Sequence, residues 1–414
     1  MCNFLEPLKY YIQMEELKVN SNKKGWIVVF AGAAINLTFG ILYAWSIFSK
    51  TLVEENNWSN AQASLPYTIA ILMFALMMIP AGKLQDKIGP KQVVRLGGIL
   101  TGTGLFLAGF LTNLPGLIFS FGILAGAGIG LGYASTTPPA VKWFPPEKKG
   151  LIAGIVVGGF GLASMYIAPL TNYLISAFGV FNSLRILGVA FFVFVLILSK
   201  FVENPDKPLP KSTNPKHNVP DLEWHQMLKT KQFYQLWFMF FAGATGGLMI
   251  IGHLSKISSI QLGGNVGFIL VALAAIANAL GRPIGGAISD KLGRGKTMMI
   301  LYILQGLTLL FFSFYTNFAS LLTGAAIVYF AYGSMLAVYP SACGDYYGTK
   351  NLGINYGILF SAWGIGGTVG PLLGGFIADK TGTYNLSFII AAVILAIAAF
   401  LGFTLKPYVH NSSK

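Results

Sequence analysis

A chain of 414 residues that is 54% hydrophobic and only 10% charged, with 50 glycines, does not have the composition of a soluble globule. It reads as an all-α membrane protein of many spans, with a function exercised across a bilayer. The net charge of +14 does not point to nucleic acid, because the basic residues collect in the loops on one side of the predicted helices.

The elements follow from the ~20 apolar residues needed to cross the hydrocarbon. Met1 to Lys24 carries no long apolar run and no cleavage-like site, and is expected to be a cytoplasmic tail and not a signal peptide. Spans are predicted over 26–47, 62–82, 93–111, 117–142, 151–176 and 180–200, a first bundle within 25–200. Residues 201–231, rich in Pro, Lys and Asn, are too polar for lipid and read as a cytoplasmic linker. Within 232–406 the count repeats over 233–256, 266–289, 297–315, 318–341, 352–378 and 385–405, before a short cytoplasmic tail at 407–414. Twelve helices in two sets of six are therefore expected.

Of 28 Lys and Arg, 23 fall on the side of the linker and both termini, which is expected to be cytoplasmic, against Lys50, Arg185, Lys256 and Lys380 opposite. Cys2 and Cys343 have no metal-like or redox spacing, and neither a disulfide framework, a metal site nor a cofactor is implied.

One cation is left over. Arg282 sits inside the apolar run Phe268 to Ile288, where a mid-bilayer charge costs roughly 2.5 to 3.5 kcal/mol on insertion scales. At a rise of about 1.5 Å per residue it enters about 24 Å from the outer end of helix 8. The same count brings Tyr133, Tyr166, Tyr332 and Trp363 to or near the central third, with Tyr43 nearer the outside. Phenol hydroxyls can donate to a carboxylate while their rings enclose a methyl group, although aromatics in membrane helices also serve simply as packing. Asn278, one turn before Arg282 on the same face, is placed either to orient the guanidinium or to bond a neighbouring helix.

The competing reading of Arg282 is a structural cation paired with a fixed carboxylate. None of the 14 Asp and Glu falls in mid-span. Asp345 could reach inward from a helix end, but is expected at the cytoplasmic gate near Lys142. His253, toward the outer end of helix 7, is either a satisfied gate histidine or a proton-handling group.

The two halves carry an internal repeat. Gly82-Lys83-Leu84-Gln85-Asp86-Lys87-Ile88-Gly89-Pro90 returns as Gly286-Ala287-Ile288-Ser289-Asp290-Lys291-Leu292-Gly293-Arg294, displaced by 204 residues. Gly150, Gly154 and Gly161 return as Gly353, Gly357 and Gly364, displaced by 203.

This pattern resembles the major facilitator superfamily, whose loop signature is Gly-x-Leu-x-Asp-Arg/Lys-x-Gly-Arg/Lys, and the resemblance covers residues 26 to 405. It implies two pseudo-symmetric six-helix bundles rocking about a central site. It also implies gating roles for Gly82, Asp86, Gly89, Gly286, Asp290, Gly293 and Arg294, with Lys142 and Asp345 nearby. A carboxylate at a helix end can accept from a neighbouring helix N-terminus and pair with cations. Pro90 departs from the family's basic residue in the first copy only.

A narrower resemblance lies in Gly40-Ile41-Leu42-Tyr43-Ala44-Trp45-Ser46, Lys142-Trp143-Phe144-Pro145 and Gly281-Arg282-Pro283, which look like the oxalate/formate antiporter family and its monocarboxylate transporter relatives. By that resemblance Arg282 binds the substrate carboxylate. The family's oxalate carriers add a lysine in helix 11, where Trp363 stands here. A single fixed cation suits a monoanion. The expectation is therefore a monomeric carrier of lactate, pyruvate or formate type in the cell membrane, by proton symport or by anion exchange. Its partners would be a small carboxylate, protons and the lipid bilayer. An anion-sensing membrane receptor is the remote alternative.

Overall fold

The computed structural model describes residues 23–56, 58, 60–206, 221–263 and 266–406. Most of the expected N-terminal tail (1–22, with Cys2), the middle of the linker (207–220) and the tail 407–414 lie outside the described residues.

Among the described residues the chain forms twelve long helices: α1 (Lys23–Val53), α2 (Asn60–Ile88), α3 (Pro90–Ala108), α4 (Leu114–Lys142), α5 (Lys149–Phe178) and α6 (Val180–Leu198), then α7 (Lys231–Leu262), α8 (Gly267–Leu292), α9 (Arg294–Leu310), α10 (Phe318–Tyr347), α11 (Leu352–Thr381) and α12 (Asn385–Thr404). Ten are long and apolar enough to cross a membrane, so this is a multi-pass membrane protein. The other two, α3 and α9, open beside basic residues and are counterparts in the two halves.

Several helices outrun the spans expected from hydropathy. The 32 residues of α7 reach about 48 Å at about 1.5 Å per residue, well beyond a ~30 Å hydrocarbon core. Hydropathy marks the apolar stretch, while the backbone keeps its own hydrogen bonds into the polar zone. The repeated motif is therefore helical almost to its end, and only Gly89 and Gly293 turn the chain. Their backbones agree closely, φ 87°, ψ 155° and φ 88°, ψ 153°. Such positive φ is open to glycine at little steric cost.

Helix α4 is not continuous. A π-helical stretch spans Ile118–Ala125, and the helix breaks at Ser135 and Thr136 before resuming over Thr137–Lys142. Pro138 and Pro139 lack the N–H groups that would carry an α-helix through this point.

Within each half the outer helices pair alike, α3 with α6 and α9 with α12. Between halves, α2 packs on α11 and α5 on α8, two seams related by the repeat. Both are closed on the side of the linker by glycine against glycine. A Cβ at Gly82 would collide with the Gly353 carbonyl, and one at Gly286 with the Gly150 carbonyl. Without a hydrophobic force between helices in lipid, small residues let backbones meet and dispersion hold them.

Candidate functional site

Arg282 is fully buried on α8, immediately before Pro283. Its Nε donates to Asn278 Oδ1 at 3.3 Å, and Nη1 makes a short hydrogen bond to the Val157 carbonyl across the α5–α8 seam. Nη2 is buried with no hydrogen-bond partner among the described residues. Of the two placements expected for it, Asn278 contacts the guanidinium one turn along its own helix.

The guanidinium fits because α5 is stripped of side chains here. A Cβ on Gly161 would lie 2.8 Å from Arg282 Nε, and one on Gly154 would strike the Arg282 carbonyl. No described carboxylate pairs with Arg282. Asp345, the expected competitor, is held by Arg294 Nε at 2.7 Å and Lys149 Nζ at 3.1 Å.

Aromatic side chains enclose the centre. Tyr133 packs edge-on against Phe74 and Phe160, with centroids 5.3 and 5.4 Å away, and Tyr43 meets Phe160 at 5.5 Å. Phe360 and Trp363 stack at 4.8 Å, and Phe74 reaches Trp363 at 5.5 Å from the opposite half. Trp363 Nε1 donates to the Tyr332 hydroxyl at 2.8 Å. That bond occupies the phenol as acceptor, which leaves the phenol's own hydrogen free to be donated. Tyr133, Tyr332 and Tyr356 all lie within the electrostatic reach of Arg282.

Two expected residues have other engagements. Tyr166 donates its hydroxyl to the Leu37 carbonyl at 2.9 Å, tying α5 to α1. His253 Nε2 meets the Pro371 carbonyl at 2.9 Å and Nδ1 the Tyr384 hydroxyl at 3.0 Å. Since a carbonyl only accepts, Nε2 carries the hydrogen. Both ring nitrogens are thus engaged, and the side chain ties α7 to α11.

The two copies of the repeated motif differ in strength. Asp290 accepts from the Gly150 and Leu151 amides at the start of α5, at 2.8 and 2.9 Å, and pairs with Arg294 Nη1 at 2.7 Å. Lys149 bridges to Asp345, so the α5–α8 seam carries a four-residue charge network. Asp86 accepts from the Ile354 amide at the start of α11 at 3.2 Å, with the Gly353 amide and the Gln85 side chain as weaker hydrogen-bond neighbours, and no arginine pairs with it among the described residues. Proline at position 90 supplies no counterpart of Arg294. Lys142 acts electrostatically on Asp86 and Asp221, while Asp345 pairs with Arg294 and Lys149.

Spacing along single helices pointed to Arg282, Asn278 and the paired aspartates. It missed the Val157 carbonyl, Lys149 and Tyr356. Tyr356 has a buried, unpartnered hydroxyl on the face of α11 shared with Phe360 and Trp363. That face repeat was the available signal.

A model of the Major Facilitator Superfamily matches residues 26–277 and 256–414. The chain is 28% identical over 361 residues to the uncharacterized MFS-type transporter YhjX of Escherichia coli, covering 84% of this chain and 87% of that one. It is 28% identical over 375 residues to the oxalate:formate antiporter of Oxalobacter formigenes, covering 89% and 87%. It is 26% identical over 393 residues to monocarboxylate transporter 13 of Bos taurus, covering 93% and 90%. The crystal structure of the E. coli fucose:proton symporter superposes with a TM-score of 0.71 at 14% identity, covering 92% of this chain and 98% of that one. Matched along essentially its whole length and folded as two related six-helix bundles, the chain belongs to the Major Facilitator Superfamily.

Proposed function

We propose that the protein carries small monocarboxylates of the lactate, pyruvate or formate type across the membrane by alternating access, with Arg282 as the fixed counter-charge. The observation behind this reading is the orphaned Nη2 of a fully buried arginine. A buried cation with an unused donor is a costly arrangement that an anionic ligand relieves, and a carboxylate on a guanidinium forms charge-assisted hydrogen bonds. Relatives named as monocarboxylate transporters and as an oxalate:formate antiporter support the class.

Several features favour a monoanion. Trp363 stands where a second cation would be needed for a dianion, and its N–H is spent on Tyr332. Tyr332 and Tyr133 supply neutral donors, and the surrounding rings suit an apolar substituent. The halves, residues 25–200 and 232–406, rock about this point, with the linker side and both termini in the cytoplasm of a cell whose inner or plasma membrane holds a monomer. On that reading the Gly82–Gly353 and Gly150–Gly286 contacts and the Asp290 network form the cytoplasmic seal.

Proton symport is the mode of coupling we propose. Exchange of one anion for another is the second reading, and a specific observation favours it: no described carboxylate pairs with Arg282, and both nitrogens of His253 are engaged. Liposomes holding the purified carrier separate the two. Labelled lactate, formate and oxalate are offered with either an imposed pH gradient or an internal counter-anion. Uptake of lactate and formate driven by the pH gradient alone supports symport, and uptake only against a counter-anion supports exchange. Preferential oxalate uptake contradicts the monoanion reading.

A further inference from the structure

The α5 glycines that face α8 are not equivalent. Gly154, Gly158 and Gly161 lie on one helix face, at spacings of four and three residues. The outer two are pressed against Arg282: a Cβ at Gly154 would strike its backbone carbonyl, and one at Gly161 would lie 2.8 Å from Nε, 3.1 Å from Cζ and 3.3 Å from Nη2. Gly158 lies between them and is itself buried, yet a Cβ built on it would have no heavy atom of the described residues within 4 Å. The next residue back, Val157, is the one whose carbonyl receives Arg282 Nη1. Open space therefore lies over Gly158, on the α5 face that meets Arg282 and its Nη2.

Interiors of this density seldom leave room for a side-chain atom beside a buried charge unless something occupies it in the working cycle. We propose that the space beside Gly158 receives the part of the substrate beyond its carboxylate, so that Gly158 sets the largest acid the carrier accepts. The inference rests on Arg282 holding the carboxylate. The carboxylate on Nη2 directs its α-carbon substituent toward the missing Cβ of Gly158. Formate has no such substituent and does not use the space, whereas the methyl end of pyruvate or lactate fills it.

The test uses the full-length carrier in liposomes as Gly158→Ala and Gly158→Val, with labelled formate and pyruvate exchanged against internal formate. Formate exchange is expected within about twofold of the unaltered carrier, while the KM for pyruvate rises about 10- to 200-fold, the range for one methyl group in a fitted pocket. Valine should discriminate more strongly than alanine. Thermal unfolding in detergent accompanies each variant: Gly158→Ala should unfold within a few degrees of the parent, whereas Gly154→Ala, which meets backbone, should be less stable. Equal loss of formate and pyruvate exchange would overturn the proposal, as would unchanged pyruvate exchange or a Gly158→Ala protein that fails to fold. Failure of the unaltered carrier to move either acid would instead remove the Arg282 reading itself.

Discussion

Replacing Asp290 by asparagine probes the seal between the halves. In the closed seam Asp290 accepts from two amides at the start of α5, at 2.8 and 2.9 Å, and pairs with Arg294. Hydrogen bonds to a charged acceptor contribute about 1.5 to 3 kcal/mol each, and the position at a helix N-terminus adds about 0.3 to 1 kcal/mol. Asparagine keeps one neutral acceptor, worth about 1 kcal/mol, but turns an NH2 group toward the second amide. The net loss to the closed state is about 2 to 6 kcal/mol, a shift of at least about 30-fold in the closed-to-open ratio. Asp86→Asn should do less, about tenfold or under, because the bond Asp86 accepts from Ile354 is longer at 3.2 Å, its Gly353 and Gln85 neighbours are weaker, and no described arginine pairs with it. Cys343, buried on α10 and within electrostatic reach of both Asp86 and Asp345, reports the opening. In a Cys2→Ser background, the rate of Cys343 alkylation by a small maleimide should rise steeply for Asp290→Asn and modestly for Asp86→Asn. Equal rates for the two variants, or no change for Asp290→Asn, would refute the unequal-seam reasoning.

Trp363→Lys should place a second cation on the α11 face and move preference toward oxalate in competition assays, whereas Trp363→Phe, which removes the donor to Tyr332, should raise the lactate KM about three- to tenfold. Unchanged preference in the lysine variant would show that Trp363 lies outside the binding site. His253→Gln should leave transport within about twofold and lower thermal stability by about 1 to 2 kcal/mol, as expected for a lost tie between α7 and α11. Loss of pH-driven uptake with exchange intact would assign the coupling proton to His253 instead.

What could be read from one sequence depended on whether the physics ran along a helix or across a seam. Arg282 stood out because a charge in an apolar run has no local explanation, and Asn278 followed from one-turn spacing. The Gly89 and Gly293 turns were legible as a repeat. Contacts between helices far apart in the chain were not. Asp345 is expected near Lys142 at the same helix ends, but its partners Arg294 and Lys149 come from α9 and α5 and were not legible. Tyr166 has the right depth for the centre, yet its rotation about α5 sends the hydroxyl to α1. The expected span 117–142 ran through the break in α4, whose available signal was Pro138 and Pro139. The empty space at Gly158 had no signal in sequence, since its neighbours Gly154 and Gly161 are the same residue type packed tight.

The central claim is that Arg282 holds the substrate's carboxylate. Counterflow of labelled lactate into liposomes, measured for Arg282→Gln and Arg282→Lys beside the unaltered carrier, tests it most directly. Removing one partner of a buried, hydrogen-bonded charge pair costs about 2 to 5 kcal/mol, or about 30-fold to several-thousand-fold in apparent affinity. Glutamine should therefore abolish counterflow while thermal unfolding shows a folded protein. Lysine, which lacks the planar fork that reaches Asn278 and Val157 together, should restore little. Lactate counterflow at an unaltered KM in a folded Arg282→Gln carrier would contradict the account.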